Sequence, residues 1–176
     1  MIAPGAAIMQ FAWVVRDLEE AAKRFGQLYG AGPFVLSRHI KVDNPLHRGR
    51  AVQTDFSTAI AQAGPVQIEL IQQHDDEPSV FRDLVRAGQE GFHHVAVIVP
   101  DVAAEVARYS GLGFPVAFSG RFAGADFAYV DTSPAVGHMT EILPEHKVIR
   151  GFFGAIRRAA ETWDGTSVLV DAASLR

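Results

Sequence analysis

Two adjacent imidazoles, His93 and His94, open an apolar strand in the stretch Gly91-Phe92-His93-His94-Val95-Ala96-Val97-Ile98-Val99-Pro100-Asp101. An imidazole among apolar neighbours can serve as a base, as a hydrogen-bonding core residue or as a metal ligand. The stretch has an earlier echo in Gln10-Phe11-Ala12-Trp13-Val14-Val15-Arg16-Asp17. Gln10 falls on His94, Ala12 on Ala96, Val15 on Val99, Asp17 on Asp101 and Arg24 on Arg108, always 84 residues apart. A constant offset through strand, cap and helix points to an internal duplication. Each copy closes on a strand with one carboxylate among apolar residues, Val66-Gln67-Ile68-Glu69-Leu70-Ile71 and His138-Met139-Thr140-Glu141-Ile142-Leu143. Four candidate metal ligands result: Gln10, Glu69, His94 and Glu141.

Taken singly, each has an ordinary explanation. A strand Glu usually faces solvent, and a strand His usually makes a plain hydrogen bond. Repetition at matched places changes that reading. Alternation sets Glu69 with Gln67 and Ile71, Glu141 with Met139 and Leu143, and His94 with Ala96 and Ile98, so both carboxylates lie on apolar faces. A carboxylate buried alone is costly, and a divalent cation would compensate two of them. Alternation sends His93 to the opposite face, for packing or a hydrogen bond.

The elements that must position these groups read as follows. Residues 9–15 form a strand, and Asp17 caps a helix with Leu18, Ala21, Ala22, Phe25 and Leu28 on one stripe, ending at Gly30. Pro33 to Val42 reads as a second strand, Val42 to Arg50 as a polar loop, Val52 to Ala61 as a third strand, and Ala63-Gly64-Pro65 turns into the Glu69 strand. A linker helix is expected over 78–88, with Pro78 in its first turn. The second copy follows: a strand at 92–99, a helix from Asp101 to about Tyr109, strands near 114–119 and 127–131, and the Glu141 strand. Apolar positions from Val148 to Trp163 recur at helical spacing, so a C-terminal helix is expected to dock on the sheet's outer face or on a partner subunit. Ser167 to Arg176 reads as a tail.

The fold class is therefore α+β: two tandem βαβββ modules, about 8–72 and 92–143, forming a curved, partly open mixed β-sheet barrel around a central site, plus the C-terminal helix, all within one domain over 1–176. At 176 residues, 48% hydrophobic and 20% charged, the chain can bury a substantial core. A net charge of −4 without a Lys/Arg cluster argues against nucleic acid as a partner. The chain has no cysteine, which excludes disulfides and thiolate sites, so any metal must use N and O ligands. Met1 to Ile8 lacks a positive leader region, and no apolar run reaches the roughly 20 residues of a membrane helix, so a cytoplasmic protein is expected.

These features resemble the vicinal oxygen chelate superfamily, which includes glyoxalase I, methylmalonyl-CoA epimerase, extradiol dioxygenases and bleomycin-resistance proteins. The resemblance spans about residues 8–144. It rests on the duplicated module, on Gly-Phe-His-His-Val-Ala at 91–96, similar to the epimerase's second-module opening, and on Val-Gln-Ile-Glu-Leu at 66–70. It implies metal ligands on the first and last strands of each module, here Gln10, Glu69, His94 and Glu141, with the second His of the tandem pair as the ligand. The set is similar to that of some glyoxalases I, whereas Gln10 departs from the epimerase pattern, which usually opens with His. A two-histidine, one-carboxylate iron triad lacks a histidine here.

One divalent ion (zinc, cobalt, nickel, manganese or magnesium) held this way could take two neighbouring substrate oxygens and stabilise the enediolate or enolate left when an adjacent C–H is deprotonated. Glu141 and Glu69 are the candidate bases, and the resemblance favours Glu141. In the loops His47, Arg48, Arg50 and Arg121 could hold a substrate carboxylate or phosphate. A metal-dependent isomerase, epimerase or lyase is expected, with a non-catalytic small-molecule binding or sequestering protein as the alternative. The substrate could be a carbonyl-containing acid, a CoA thioester or a polycyclic metabolite, and a homodimer stays open.

Overall fold

The computed structural model describes residues 6–175; residues 1–5, most of the segment read above as lacking a leader, and Arg176 lie outside the described residues. Asp17 and Asp101 cap their helices in the same way. The carboxylates accept from the backbone N–H of Glu20 and Ala104, each at 2.9 Å, so the duplication extends to the hydrogen bonds that start α1 (Leu18–Tyr29) and α2 (Val102–Gly111). Gly30 ends α1 at φ 61°, a left-handed conformation that glycine adopts without penalty.

In the first module β1 (Ile8–Val14) is followed by α1, β2 (Phe34–Ser37), a hairpin of β3 (Asp43–His47) and β4 (Arg50–Ala51), then β5 (Phe56–Ala63) and β6 (Val66–Gln73). The second comprises β7 (Gly91–Val99), α2, β8 (Val116–Phe122), β9 (Ala125–Val130), the short α3 (Ser133–Val136) and β10 (Met139–Pro144). After them come α4 (Lys147–Glu161), β11 (Leu169–Asp171) and a 3-10 turn at Ala172–Ser174.

Among the described residues eleven strands join one sheet in the order β11-β2-β5-β6-β1-β7-β10-β9-β8-β3-β4. Each module runs outward from its own first strand, and that strand lies parallel to the module's last, β1 beside β6 and β7 beside β10. The four central strands β6, β1, β7 and β10 thus carry Glu69, Gln10, His94 and Glu141, one residue each.

The stretch 42–50, expected as a loop, is instead the β3–β4 hairpin, and it pairs with β8 of the second module rather than with its own. The strand expected over 33–42 stops at Ser37 because the chain there leaves one end of the sheet for the other. Five residues, 38–42, make that crossing. They can span no more than about 20 Å, so the sheet must curl until its two halves face each other. Gly120 lets the crossing pass close to β8, since a Cβ there would collide with Val42.

The outer face is covered by α1, whose Leu18, Ala21 and Ala22 pack on Ala59, Ala61, Ile68 and Leu70, and by α2 over Val97, Val99 and Ile142. The C-terminal helix docks elsewhere than expected. Ile156, fully buried, packs with Val35 and Ile60, and Phe152 and Phe153 join them, which puts α4 inside the curl against β5. Alternation explains the choice: Ala59 and Ala61 face α1, so Ile60 faces inward. Helix α4 also brings in β11, which pairs parallel to β2 where a tail was expected.

The linker 78–88 forms successive turns, not the expected helix. Its apolar residues face a core instead of repeating along a helix, with Val80, Phe81 and Val85 buried against Ala12, Tyr129 and Met139. Among the described residues no helix is long and apolar enough to cross a membrane.

Candidate metal centre

The central ladder places the candidate ligands. Ala12 stands opposite His94 and beside Glu69, while Ala96 stands opposite Gln10 and beside Glu141. The two alanines are fully buried, and their small side chains leave the space that four larger groups point into. His94 Nε2 lies 3.4 Å from Glu69 Oε2 and 3.4 Å from Glu141 Oε2. Glu69, His94 and Glu141 each offer a ligand atom within 4.8 Å of the others. Two donors about 2.1 Å from one ion at a tetrahedral angle stand about 3.4 Å apart, so the spacing suits a single ion. Gln10, buried, lines the same cavity as the two carboxylates, and its Nε2 donates to Gln67 Oε1 at 3.4 Å.

His94 Nε2 is buried and has no hydrogen-bond partner. Native interiors rarely leave such an atom unmatched, and a cation bonded to it would remove the penalty. Burial works against charge on His94, but the facing Glu141 and Glu69 carboxylates prevail and raise its pKa from 6.5 to about 9. A proton then occupies the place a metal would take. Glu69 is pushed up from its ordinary value by burial, which the imidazole opposes and the neighbouring Glu141 reinforces.

His93 departs from the expectation of strand alternation. Gln10 to Ala12 pair with Ala96 to His94, but Trp13 pairs with Phe92, so β7 carries one extra residue and that residue is His93. Such a bulge breaks the alternation and re-aims the side chain. His93 is fully buried, with its Nδ1 2.9 Å from His94 Nδ1 and its Nε2 2.9 Å from the Val80 carbonyl. A carbonyl only accepts, so His93 Nε2 carries a hydrogen. Burial, together with the adjacent His94, drives the His93 pKa down to about 3, so the ring is neutral and its Nδ1 accepts. His94 must then donate from Nδ1, which leaves its Nε2, on the side of the carboxylates, as the position that takes a proton or would take a metal ion.

Tyr129 was not anticipated. It stands opposite Glu141 on β9, its ring centroid lies 5.0 Å from that of His94, and burial and the two carboxylates hold its hydroxyl un-ionised. Its pairing with Glu141 depends on β9–β10 register, which no local pattern reveals.

The four residues expected to hold substrate sit on β3, β4, β8 and the turn between β3 and β4. His47 Nε2 contacts Asp83 at 3.1 Å, and Arg48 bridges Asp83 and Asp131, each at 2.8 Å. Arg121 pairs with Asp126 at 2.9 Å, and Arg50 is exposed on β4. None of the four lines either cavity described for the molecule.

The crystal structure of methylmalonyl-CoA epimerase from Mycobacterium tuberculosis is similar to this chain, with a TM-score of 0.58 at 15% identity, covering 86% of this chain and 97% of that one. A hypothetical protein from Bacillus halodurans has a TM-score of 0.59 at 15% identity, covering 82% and 97%. The Streptomyces coelicolor methylmalonyl-CoA epimerase in complex with 2-nitronate-propionyl-CoA has a TM-score of 0.55 at 19% identity, covering 79% and 96%. At these identities the likeness is one of fold. No curated protein matches the sequence. The model of the Glyoxalase/Bleomycin resistance protein/Dioxygenase superfamily matches residues 9–130, well over half the chain, and the chain belongs to that family.

Proposed function

We propose that the chain is a divalent-metal-dependent enzyme that removes a proton next to a carbonyl in a small molecule, as an isomerase, epimerase or lyase. The observation that carries this reading is the buried His94 Nε2 set 3.4 Å from each of two carboxylates without a well-formed hydrogen bond to either. Glu69, His94 and Glu141 would hold the ion, with Gln10 as a neutral fourth donor. The ion would supply Lewis acidity toward two neighbouring substrate oxygens.

The chain's own groups supply the rest. Glu141 takes the proton from the substrate carbon while the C–H electron pair moves onto the carbonyl oxygen, and returning that proton completes the cycle. Glu69, the second carboxylate at the triad, would be the group that delivers a proton when configuration is inverted. The cavity next to the triad, about 280 Å³ and walled mainly by apolar side chains, surrounds the reacting carbon with apolar groups.

Elemental analysis of purified protein should give about one divalent ion per chain, and substrate C–H should exchange with deuterated water only in the metal-loaded form. Glu141→Gln should keep most of the metal and slow exchange by at least about a hundredfold, the typical worth of a positioned base. A protein that holds no ion yet binds small molecules in this cavity would instead be the sequestering kind. Exchange by Glu141→Gln at the parent rate would move the base to Glu69.

A further inference from the structure

The cavity that meets the triad differs from the space a charged substrate needs. Its walls include Phe56, Phe127, Phe152, Phe153, Ile60 and Leu143, and among the described residues no lysine, arginine or histidine lines it. Among the described residues the carboxyl groups that line it are those of Glu69 and Glu141, which the triad uses. Glu69 and Glu141 would already balance a divalent ion, so a substrate carboxylate would bring a net negative charge into this wall with no further cation to meet it, at a cost of several kcal/mol. The adjoining cavity, about 540 Å³, shares Phe56, Phe127 and Tyr129 with the first and carries Asp55, Asp75 and Glu77 against the single Lys41. Those carboxylates repel the phosphates of a coenzyme thioester.

Helix α4 makes the difference. It lies beyond the stretch that matches the family model, and its Val148, Ile149, Phe152 and Phe153 all face the cavity. Ile156, one turn on, is anchored between Val35 and Ile60. The helix is therefore held by its second half and presents its first half to whatever enters.

We propose that the substrate is an uncharged, largely apolar molecule of one or two rings bearing two neighbouring oxygens, and that α4 selects it. The size follows from a cavity near the lower end of ligand sites, which run from roughly 300 Å³ upward. The inference deepens the proton-abstraction reading and rests on the same site, but apolar selection can be measured without turnover.

The probes are benzoin, a neutral 2-hydroxy ketone with an acidic C–H, mandelate, its charged counterpart with one ring, and methylmalonyl-CoA. Calorimetric titration of the metal-loaded protein should show benzoin binding at least about tenfold more tightly than mandelate or the thioester. Phe152→Ala and Phe153→Ala should each weaken benzoin by about tenfold with metal content unchanged, the scale of losing pocket contacts. Val148 is 52% exposed, so Val148→Arg is expected to fold, and its new cation should bring mandelate to within threefold of benzoin. Tighter binding of mandelate or methylmalonyl-CoA than of benzoin, no measurable binding of benzoin, or unchanged affinity in both phenylalanine variants would overturn the proposal. If benzoin is preferred but never exchanges its C–H, the selection stands and the proton-abstraction reading falls.

Discussion

The two modules use one backbone device for two purposes. On β7 the extra residue of the bulge is His93, and on β1, where Ile8 pairs with Val97 and Gln10 with Ala96, it is Met9. The two positions correspond under the 84-residue offset, and each immediately precedes a candidate ligand. In the second module the bulge delivers an imidazole that fixes the hydrogen-bonding of His94. In the first it delivers a thioether that packs on the core around Ala12 and Tyr129. The duplicated fold thus sets where side chains go, and their identity sets whether the place does chemistry.

The modules also differ outside the centre. Helix α1 buries Leu18, Ala21 and Ala22, whereas α2 has no fully buried residue. The first module's sheet gains a roof in α4 and an extra strand in β11, while the second gains the first module's own hairpin at its edge. The first module's half carries the apolar roof of α4, and the second supplies the imidazole.

The sharpest test of the asymmetry compares matched ligands. His94→Ala should lower zinc affinity by more than about a hundredfold and Gln10→Ala by about tenfold, because an amide oxygen is a weaker donor than imidazole. Competition with a chromophoric chelator measures both. Equal losses would mean that the modules contribute alike.

The next effect is one of pH. In the metal-free protein the pKa of His94 is raised from 6.5 to about 9, so the stabilisation it brings is complete below pH 6.5 and is lost as pH rises through about 9. Thermal unfolding of metal-free protein should therefore show a fall of a few kcal/mol in stability between pH 7 and 10, following the linkage of about 1.4 kcal/mol per unit. Zinc should abolish most of that dependence and tighten over the same interval as it displaces the proton. A flat profile for the metal-free form would remove the carboxylates from around the imidazole.

The two bulges give the finest comparison. His93→Leu should cost about 10–100-fold in zinc affinity, the usual worth of a partner that orients a ligand, and nitrogen NMR should show His94 losing its single Nδ1–H form. Met9→Leu, a volume-conserving change at the matched site, should stay within about threefold in affinity and cost less than ~1.5 kcal/mol in stability. Loss of affinity in both variants, with His94 keeping its tautomer, would mean that the bulges serve packing alone.

Much of this was legible in the residues themselves. The 84-residue offset, the aspartate caps and the strand periods follow from local chemistry: a carboxylate caps the N–H groups that follow it, and alternate strand residues share a face. The same logic put Glu69, His94 and Glu141 on strands that the structure brings to one point. Local pattern could not decide what depends on distant pairing. The bulge at His93 exists only in the register between β1 and β7, and Tyr129 meets Glu141 only through the β9–β10 ladder. The hairpin at 43–51 finds its partner more than sixty residues away, and the turns at 78–88 are shaped by the core they fill. The amphipathic stripe of α4 announced that the helix would be buried, but hydrophobic attraction has no direction. The curl of the sheet left its inner face open above Ile60, and that vacancy decided where the helix went.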